Sequence, residues 1–509
     1  MRFAFIDNVL IERTEQGVEV ELQPHLGLIA LIAGLRAAGH EGVLYDPKIA
    51  LARRELEAAP GFAAAVAERI AALEADAVGF TTLGSNFATT IRIAQALRPL
   101  RPALPIVLGG PHATILDREI LERYPAFDAI VRGEADETIG AFAAALGGEG
   151  SLDDVPGVSY RAGGTVRRSP DAAAVADLDA LPFAAYEAYP IAELGLGILA
   201  VDAGRGCPFH CSFCSTATFF GRRYRLKSAA RLVCELDRLC AAYGVRRFVL
   251  NHDLFTVNKK KIREFCAAVA GRGYRWSCSA RLDCVDDALL ADMAAAGCTG
   301  IYYGIETGSA RLQRVVEKNL DLALYHPRIG RSLELGMAVT ASFITGYPQE
   351  TREDQDRTLA LLGETLERYD ERLSPQLHLL APEPGTALHA RFAETLAYDG
   401  YRIDFVSPAI EHGDRELAAS DPLTFVCHHY YAAGLARATH LAVVEGFTNL
   451  LQLPRVVLRE LVRAYGPFAD LVRDAGAFLS ASVRLPPTQA LAAFVDAALG
   501  PDRPVTDAV

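Results

Sequence analysis

The sequence predicts an α/β protein made of two runs of βα repeats and a helical C-terminal part. Three observations predict it. Over residues 1–146 short apolar strands alternate with alanine-rich helical stretches, the pattern of a doubly wound, Rossmann-like domain. Over 196–386 the same rhythm returns with six strands. From 387 to 509 the rhythm stops and apolar residues recur at helical spacing. Residues 147–195 link the two α/β units.

In the first unit the expected strands are Arg2–Ile6, Glu41–Tyr45, Ala77–Thr81, Pro105–Leu108 and Ala129–Arg132, with helices near 26–39, 60–75, 86–98, 116–123 and 135–146. Ligands of such sheets sit at the carboxyl ends of the strands. The loops there are Asp7-Asn8, Asp46-Pro47-Lys48, Thr81-Thr82-Leu83-Gly84-Ser85, Gly109-Gly110-Pro111-His112-Ala113-Thr114 and Gly133-Glu134-Ala135-Asp136. Glycine lets a ligand approach the backbone, and Ser and Thr offer short donors. No G-x-G-x-x-G follows the first strand, which disfavours an ordinary dinucleotide site. In the linker, Ala162-Gly163-Gly164 is a turn signal between two alternating runs and predicts a small hairpin.

In the second unit the expected strands are Ile198–Ala203, Arg247–Asn251, Arg275–Ala280, Gly300–Gly304, Val339–Thr345 and Gln376–Leu380, with helices around 228–243, 258–271, 286–296, 322–336 and 352–368. The single Trp276 is expected in the core. In the C-terminal part helical spacing runs through Leu423–Leu441, Val443–Leu451, Arg455–Arg463 and Thr488–Leu499, punctuated by Pro454, Gly466-Pro467 and Pro486-Pro487. This predicts a helical cap over the open side of the second unit. Its cluster Cys427-His428-His429-Tyr430-Tyr431 is either a substrate-facing wall or a helix interface, and the interface is favoured. The tail Pro501–Val509 is expected to be disordered.

A net charge of −12 argues against a general nucleic-acid coat, and Lys259-Lys260-Lys261 opens a helical pattern and reads as a solvated face. No signal peptide and no apolar run long enough for a membrane span are visible, so the expectation is a cytoplasmic protein. Ten cysteines in such a chain suggest reduced thiols and a metal site rather than disulfides.

Three of them, Cys207, Cys211 and Cys214, lie in Gly204-Arg205-Gly206-Cys207-Pro208-Phe209-His210-Cys211-Ser212-Phe213-Cys214, just past an expected strand end. The spacing C-x3-C-x2-C differs from paired zinc motifs. Three thiolates are one short of the four that close an iron–sulfur cluster, so a 4Fe–4S cluster held here keeps one iron open. The alternative is three thiols without a cluster. With Phe213 as its aromatic, the run resembles the signature of the radical S-adenosylmethionine (SAM) superfamily. The resemblance implies a partial (βα)6 barrel, a cluster on Cys207, Cys211 and Cys214, SAM on the open iron, and its reductive cleavage to a 5′-deoxyadenosyl radical.

The barrel's strand ends carry further likenesses. Asn251-His252-Asp253-Leu254-Phe255-Thr256 resembles a family stretch that makes Asp253 a polar wall of the cavity, while His252 reads as a satisfied loop histidine. Arg281 is implied for the SAM carboxylate, with an ion pair to Asp283 or Glu306 as the alternative. Tyr303-Gly304-Ile305-Glu306-Thr307 resembles the Gly-x-Glu-Ser/Thr pattern that assigns Glu306 to the SAM ribose. Lys318-Asn319 resembles a position at the carboxylate end of SAM. Ser342-Phe343-Ile344-Thr345-Gly346-Tyr347-Pro348-Gln349-Glu350-Thr351 resembles the Ile-x-Gly-x-Pro-x-Glu-Thr run beside the adenine, where Gly346 would admit the base and Phe213 would pack on it. Ala381-Pro382-Glu383-Pro384-Gly385-Thr386 is close to a family loop. The remaining cysteines, Cys234, Cys240, Cys266, Cys278, Cys284, Cys298 and Cys427, read as free thiols rather than a second cluster.

The first unit, through Pro24-His25-Leu26-Gly27-Leu28, Leu108-Gly109-Gly110-Pro111-His112-Ala113-Thr114 and Val131-Arg132-Gly133-Glu134-Ala135-Asp136-Glu137-Thr138, resembles the cobalamin-binding domain that precedes many such barrels. The implied contacts are Asp46, Thr81, Thr82, Gly84, Ser85, Gly109, Gly110, Pro111, His112, Gly133 and Glu134. Many cobalamin domains supply a histidine through Asp-x-His-x-x-Gly. Here Lys48 stands in that place, which implies cobalamin bound base-off with no histidine ligand from the protein. A flavodoxin-like docking domain without cofactor is the alternative. The family likeness implies a methyltransferase acting on an unactivated carbon of a small molecule, peptide or lipid precursor, with electrons from a flavodoxin or ferredoxin. Rearrangement or cyclisation, methyl transfer without a radical, and a non-catalytic sensor are the other readings.

Overall fold

The structure is a computed structural model that describes residues 1–7, 12–14, 17–400, 413–482 and 486–499. Asn8 of the first strand-end loop and the tail Pro501–Val509 lie outside the described residues.

The N-terminal sheet contains β1 (Arg2–Ile6), β2 (Glu41–Tyr45), β3 (Ala77–Thr81), β4 (Ile106–Gly109), β5 (Ala129–Val131), β6 (Val158–Ala162) and β7 (Thr165–Arg168), in the order β2-β1-β3-β4-β5-β6-β7. The first five strands are parallel. The order reverses between β1 and β3, where an open α/β sheet has its ligand crevice. Side chains alternate across the sheet. Phe3 and Phe5 meet helices Leu26–Ala37 and Ile139–Leu146 on one face. Ala4 and Ile6 meet Phe62–Ala71 and Phe87–Leu100 on the other. The hairpin of the linker does not stand apart. β6 pairs antiparallel with β5 and extends this sheet by two strands, because Val158 and Ser159 at its start are buried against the domain.

The second sheet holds β8 (Ile198–Asp202), β9 (Arg247–Asn251), β10 (Arg275–Ala280), β11 (Cys298–Glu306), β12 (Ala338–Thr345) and β13 (Leu373–Leu379), all parallel and in chain order. β8 and β13 are its two edges, so the barrel is partial. One face of each strand packs on the surrounding helices through residues such as Leu250, Trp276, Tyr303 and Phe343. Trp276 is wholly buried and its indole donates to the Ala296 carbonyl at 2.9 Å.

The C-terminal part differs from expectation at its start. Leu423–Leu441 is not one helix. A short turn at Val426–His428 is followed by strand Tyr430–Tyr431, which pairs with Leu396–Ala397. Gly434 (φ +75°) ends any helical path there, since a Cβ would lie 2.6 Å from the Pro348 carbonyl oxygen. Helices Arg437–Leu450, Arg455–Tyr465, Phe468–Ala481 and Pro487–Leu499 follow. The first packs on β13 and the third on helix Arg352–Arg368, so they cover that edge of the barrel. Gly446 and Gly476 bring the first and third helices backbone to backbone, because any Cβ there would overlap the facing carbonyls of Val472 and Ala442. Among the described residues no helix is long and apolar enough to cross a membrane.

Candidate active site

The cysteine loop leaves β8 through Gly204-Arg205, which pairs with Arg225-Leu226. Gly206 (φ +82°) turns the chain where a Cβ would overlap the Arg223 carbonyl. The loop is braced at both ends by one carboxylate. Asp253 accepts from the Gly206 N–H at 2.8 Å and from the Thr216 hydroxyl at 3.2 Å. In the middle, Ser212 N–H donates to the Val316 carbonyl at 3.0 Å and the Ser212 carbonyl accepts from Leu388 N–H at 2.8 Å. Cys207, Cys211 and Cys214 are half-buried free thiols. Burial pushes the Cys211 thiol up to about 11, with Lys318 and Arg281 acting against it and Cys214 and Glu306 with it. Burial also raises Cys207, which feels Cys214, Asp253 and Lys318. Cys207 and Cys211 thus both feel Cys214, and between them the charged groups at the ends of β9, β10 and β11. Among the described residues no set of His, Cys, Asp or Glu converges on a single metal ion. In a cubane cluster each thiolate holds a different iron, so the three need not converge, and an iron would deprotonate each thiol outright.

Around this loop Glu306 (φ +69°) ends β11 and accepts from Lys318 Nζ at 2.8 Å, each side chain being only 11% exposed. Gly304 allows that pair, since a Cβ there would sit 2.5 Å from Glu306 Oε1 and 3.1 Å from Nζ. Burial works against the Lys318 charge, yet Glu306 and Cys211 outweigh it and hold the ammonium protonated. Gly346 (φ +102°) has an open side, its nearest neighbour to an added Cβ being Leu380 at 3.6 Å. Phe213 packs edge-on to Tyr347, ring centroids 5.5 Å apart. Arg281 takes its ion-pair alternative. It bonds Asp283 at 2.8 and 3.1 Å, donates to the Lys318 carbonyl, and stacks over Phe209 of the cysteine loop at 4.1 Å. His252 is a satisfied loop residue, bonded to the Arg225 carbonyl at 3.1 Å and the Leu254 N–H at 2.9 Å.

Facing these strand ends is a cavity of about 600 Å³. Its barrel wall includes Asp202, Asn251, Asp253 and Ser279. Its other wall is the crevice of the first domain, where Thr81, Gly109, Gly110, Pro111, Gly133 and Glu134 line it. From there the cavity runs between the sheet and its two helices, along Phe5, Leu28, Val107 and Phe142. Gly133 (φ +71°) has no heavy atom within 4 Å of an added Cβ, leaving bare backbone toward open space. A bulky ring with a long appendage fits such a glycine-rimmed apolar slot.

Asp46, Thr82, Gly84, Ser85 and His112 do not line the cavity, and four of them are engaged elsewhere. Asp46 caps a helix and is held by Lys48 and by the Tyr189 hydroxyl at 3.1 Å. Lys48 is buried, 2.8 Å from Asp7 and 3.1 Å from Asp46, and these carboxylates keep it protonated against burial; an ammonium has no lone pair for cobalt. His25 does line the cavity, but its Nδ1 accepts from Leu28 N–H at 3.3 Å, which assigns the ring proton to Nε2. Thr82 ties two loops, donating to the Gly109 carbonyl at 2.8 Å and accepting from Ala113 N–H at 3.2 Å. Gly84 and His112 lie under the C-terminal segment. His428 bonds the Gly84 carbonyl at 3.2 Å, and a Cβ on Gly84 would be 2.5 Å from Cys427 Sγ. Burial drives His112 down to about 3. Glu134 lines the cavity yet is also clamped by Arg225 at 2.7 Å and by Val175 N–H at 2.8 Å. Beside it Asp136 takes both ends of Arg205 at 2.7 and 2.9 Å, so the first domain is bolted to the cysteine loop.

The run Thr345–Thr351 contains a group of contacts that spacing did not suggest. Glu350 accepts from Gly346 N–H at 2.7 Å and from the Thr345 hydroxyl, which is 2.8 Å from His440 Nδ1 of the C-terminal helices. No periodicity links residues 345 and 440.

Residues 20–143 match the B12 binding domain and residues 201–362 the Radical SAM superfamily. The chain is 29% identical over 328 residues to an uncharacterised methyltransferase of Pyrococcus horikoshii, a match covering 64% of this chain and 70% of that one. It is 27% identical to the anaerobic magnesium-protoporphyrin IX monomethyl ester cyclase of Cereibacter sphaeroides, covering 72% of this chain and 61% of the cyclase. The fold is shared with the radical SAM methyltransferase TsrM of Kitasatospora setae, solved with cobalamin and a 4Fe–4S cluster (TM-score 0.63, 17% identity, 93% of this chain and 99% of that one). This chain therefore joins a B12 binding domain to a domain of the radical SAM superfamily, and cobalamin, SAM and a 4Fe–4S cluster are the cofactors that go with the pair.

Proposed function

We propose that this cobalamin-dependent radical SAM enzyme methylates an unactivated carbon of a natural-product, peptide or lipid precursor. The observation that carries the reading is the single cavity walled on one side by the glycine loops of the B12 domain and on the other by the barrel's strand ends. A substrate carbon in that cavity lies between the glycine loops and Asp253, the residue that holds the cysteine loop. Together the bound cofactors supply a hydrogen-abstracting carbon radical and a transferable methyl group. In this reading Cys207, Cys211 and Cys214 hold three irons, and Asp253 fixes the loop that carries them. The Lys318–Glu306 pair supplies fixed charge beside Cys211. Glu350 aims the Gly346 backbone, and the apolar walls of the cavity keep water from a reactive carbon. Electrons come from a flavodoxin or ferredoxin.

The likeness to a cyclase over 72% of the chain favours a second reading, ring closure with the same cofactors. Reduced, reconstituted protein is tested for deoxyadenosine and for methylated product with isotopically labelled SAM. Deoxyadenosine with labelled product supports methylation. Deoxyadenosine with an unlabelled, ring-closed product supports cyclisation. Labelled product without deoxyadenosine supports polar methyl transfer, and neither product over a broad substrate panel overturns the enzymatic reading.

A further inference from the structure

The concave face of the barrel is hollow. Closed βα barrels fill their interior with layers of branched side chains. Here that face carries Ala200, Ser277, Gly300 and Gly304, and two large side chains on it stay bare, Val249 at 40% and Tyr302 at 41% exposure. Along β9, Phe248 and Leu250 are buried against the helices, while Arg247, Val249 and Asn251 are all exposed on the inner side. Asn251 lines the cavity at the top of the barrel. An open surface thus runs down one strand from the cavity to Arg247, about 13 Å at roughly 3.3 Å per residue.

At the lower end two cations sit side by side. Arg247 and Arg275 are register partners on the adjacent parallel strands β9 and β10, and both are exposed. Arg275 shares its face with Ser279, which also lines the cavity. Neither guanidinium has a hydrogen bond, ion pair or ring contact among the described residues, whereas Arg205, Arg225 and Arg281 at the other end of the barrel each bond a carboxylate. Like charges directly opposite on neighbouring strands repel. Two forks side by side form a site for an oxyanion.

We propose that the hollow face of the barrel is the substrate channel, and that Arg247 and Arg275 hold an anionic head group, carboxylate or phosphate, at its far end. The substrate is then an elongated amphipathic acid whose apolar stem lies on Val249 and Tyr302 and whose opposite end enters the cavity. This rests on the reading of the cavity as the reaction site.

The test is calorimetric titration of the cofactor-loaded protein with octyl phosphate, octanoate and octylammonium. The two anions bind and the ammonium does not. Arg247→Gln and Arg275→Gln each weaken anion binding about tenfold, while Lys260→Gln, on an exposed helix surface, leaves it unchanged. Tighter octyl phosphate points to a phosphate ester, and tighter octanoate to a carboxylic acid. Anions that bind the double variant as well as the wild type, equal binding of octylammonium, or no binding of any probe overturns the proposal. Deoxyadenosine production with and without the substrate panel, measured on the same samples, separates the two levels. Its presence with failed anion binding sinks the channel alone, and its absence from the wild type sinks the radical reading.

Discussion

Replacing Asp253 by alanine removes the one carboxylate that ties both ends of the cysteine loop. Two bonds are lost, from Gly206 N–H at 2.8 Å and from the Thr216 hydroxyl at 3.2 Å. Asp253 is solvent-exposed and only the Gly206 bond is partly buried, so the first is worth about 1.5 kcal/mol and the second about 0.5. A loss of about 2 kcal/mol makes local opening of the loop roughly 30-fold more frequent. It leaves the rest of the fold alone, since Asp253 packs into no core. The assay is anaerobic release of iron from the reconstituted protein to a ferrous chelator, followed by the decay of cluster absorbance. Asp253→Ala loses iron about 30-fold faster than wild type. Asp253→Asn, which keeps an oxygen for Gly206, falls between them. Cys211→Ala sets the limit, with no 4Fe–4S absorbance at all. Iron release from Asp253→Ala at the wild-type rate, with an unchanged melting temperature, would refute the bracing role.

Two further outcomes follow from the geometry. Gly110→Val puts a Cβ 2.8–2.9 Å from backbone atoms of Thr82 at φ +93°; it costs about 1–3 kcal/mol and weakens cobalamin retention on gel filtration, while cluster absorbance is unchanged. Glu383, at the end of the barrel, has its carboxyl raised by burial to about 7. A raised carboxyl penalises the folded state once ionised, so stability is full below about pH 4.5 and falls as pH rises to 7. Allowing for the partial solvent access of this side chain, Glu383→Gln is about 2 kcal/mol more stable than wild type at pH 8 and equal to it at about pH 4. A difference that does not change with pH in urea unfolding contradicts this.

The strands were legible because each is a short apolar run bounded by polar residues, and the edges of β1, β2, β3, β9 and β10 agree with the expected ones residue for residue. Glu306 and Gly346 were legible as strand-end residues in a recognisable order. Other features turn on contacts far apart in sequence. Arg281 stood open between a ligand and an ion pair because Asp283 lies two residues away, while nothing in the sequence points to the Lys318 carbonyl that also claims it. Gly84 and His112 looked like cofactor contacts because the segment that covers them lies some 300 residues away, and a glycine loop reads the same whether a ligand or a side chain fills it. Leu423–Leu441 looked helical because periodicity registers apolar spacing, not the surface it serves. Phe425 packs on Phe87, and Asp421 bonds the Tyr124 hydroxyl at 2.6 Å and Arg123 at 2.9 Å, all in the first domain.

That last docking sets a timetable for assembly. Tyr124 and Asp421 are 297 residues apart. At synthesis rates of roughly 5–20 residues per second, the first domain waits ~15–60 s after leaving the ribosome before the strap that covers Phe87 and Gly84 exists. Through that interval its crevice is bare on a side that the finished protein keeps shut. The nascent chain therefore has a period of access to this domain that the mature chain lacks.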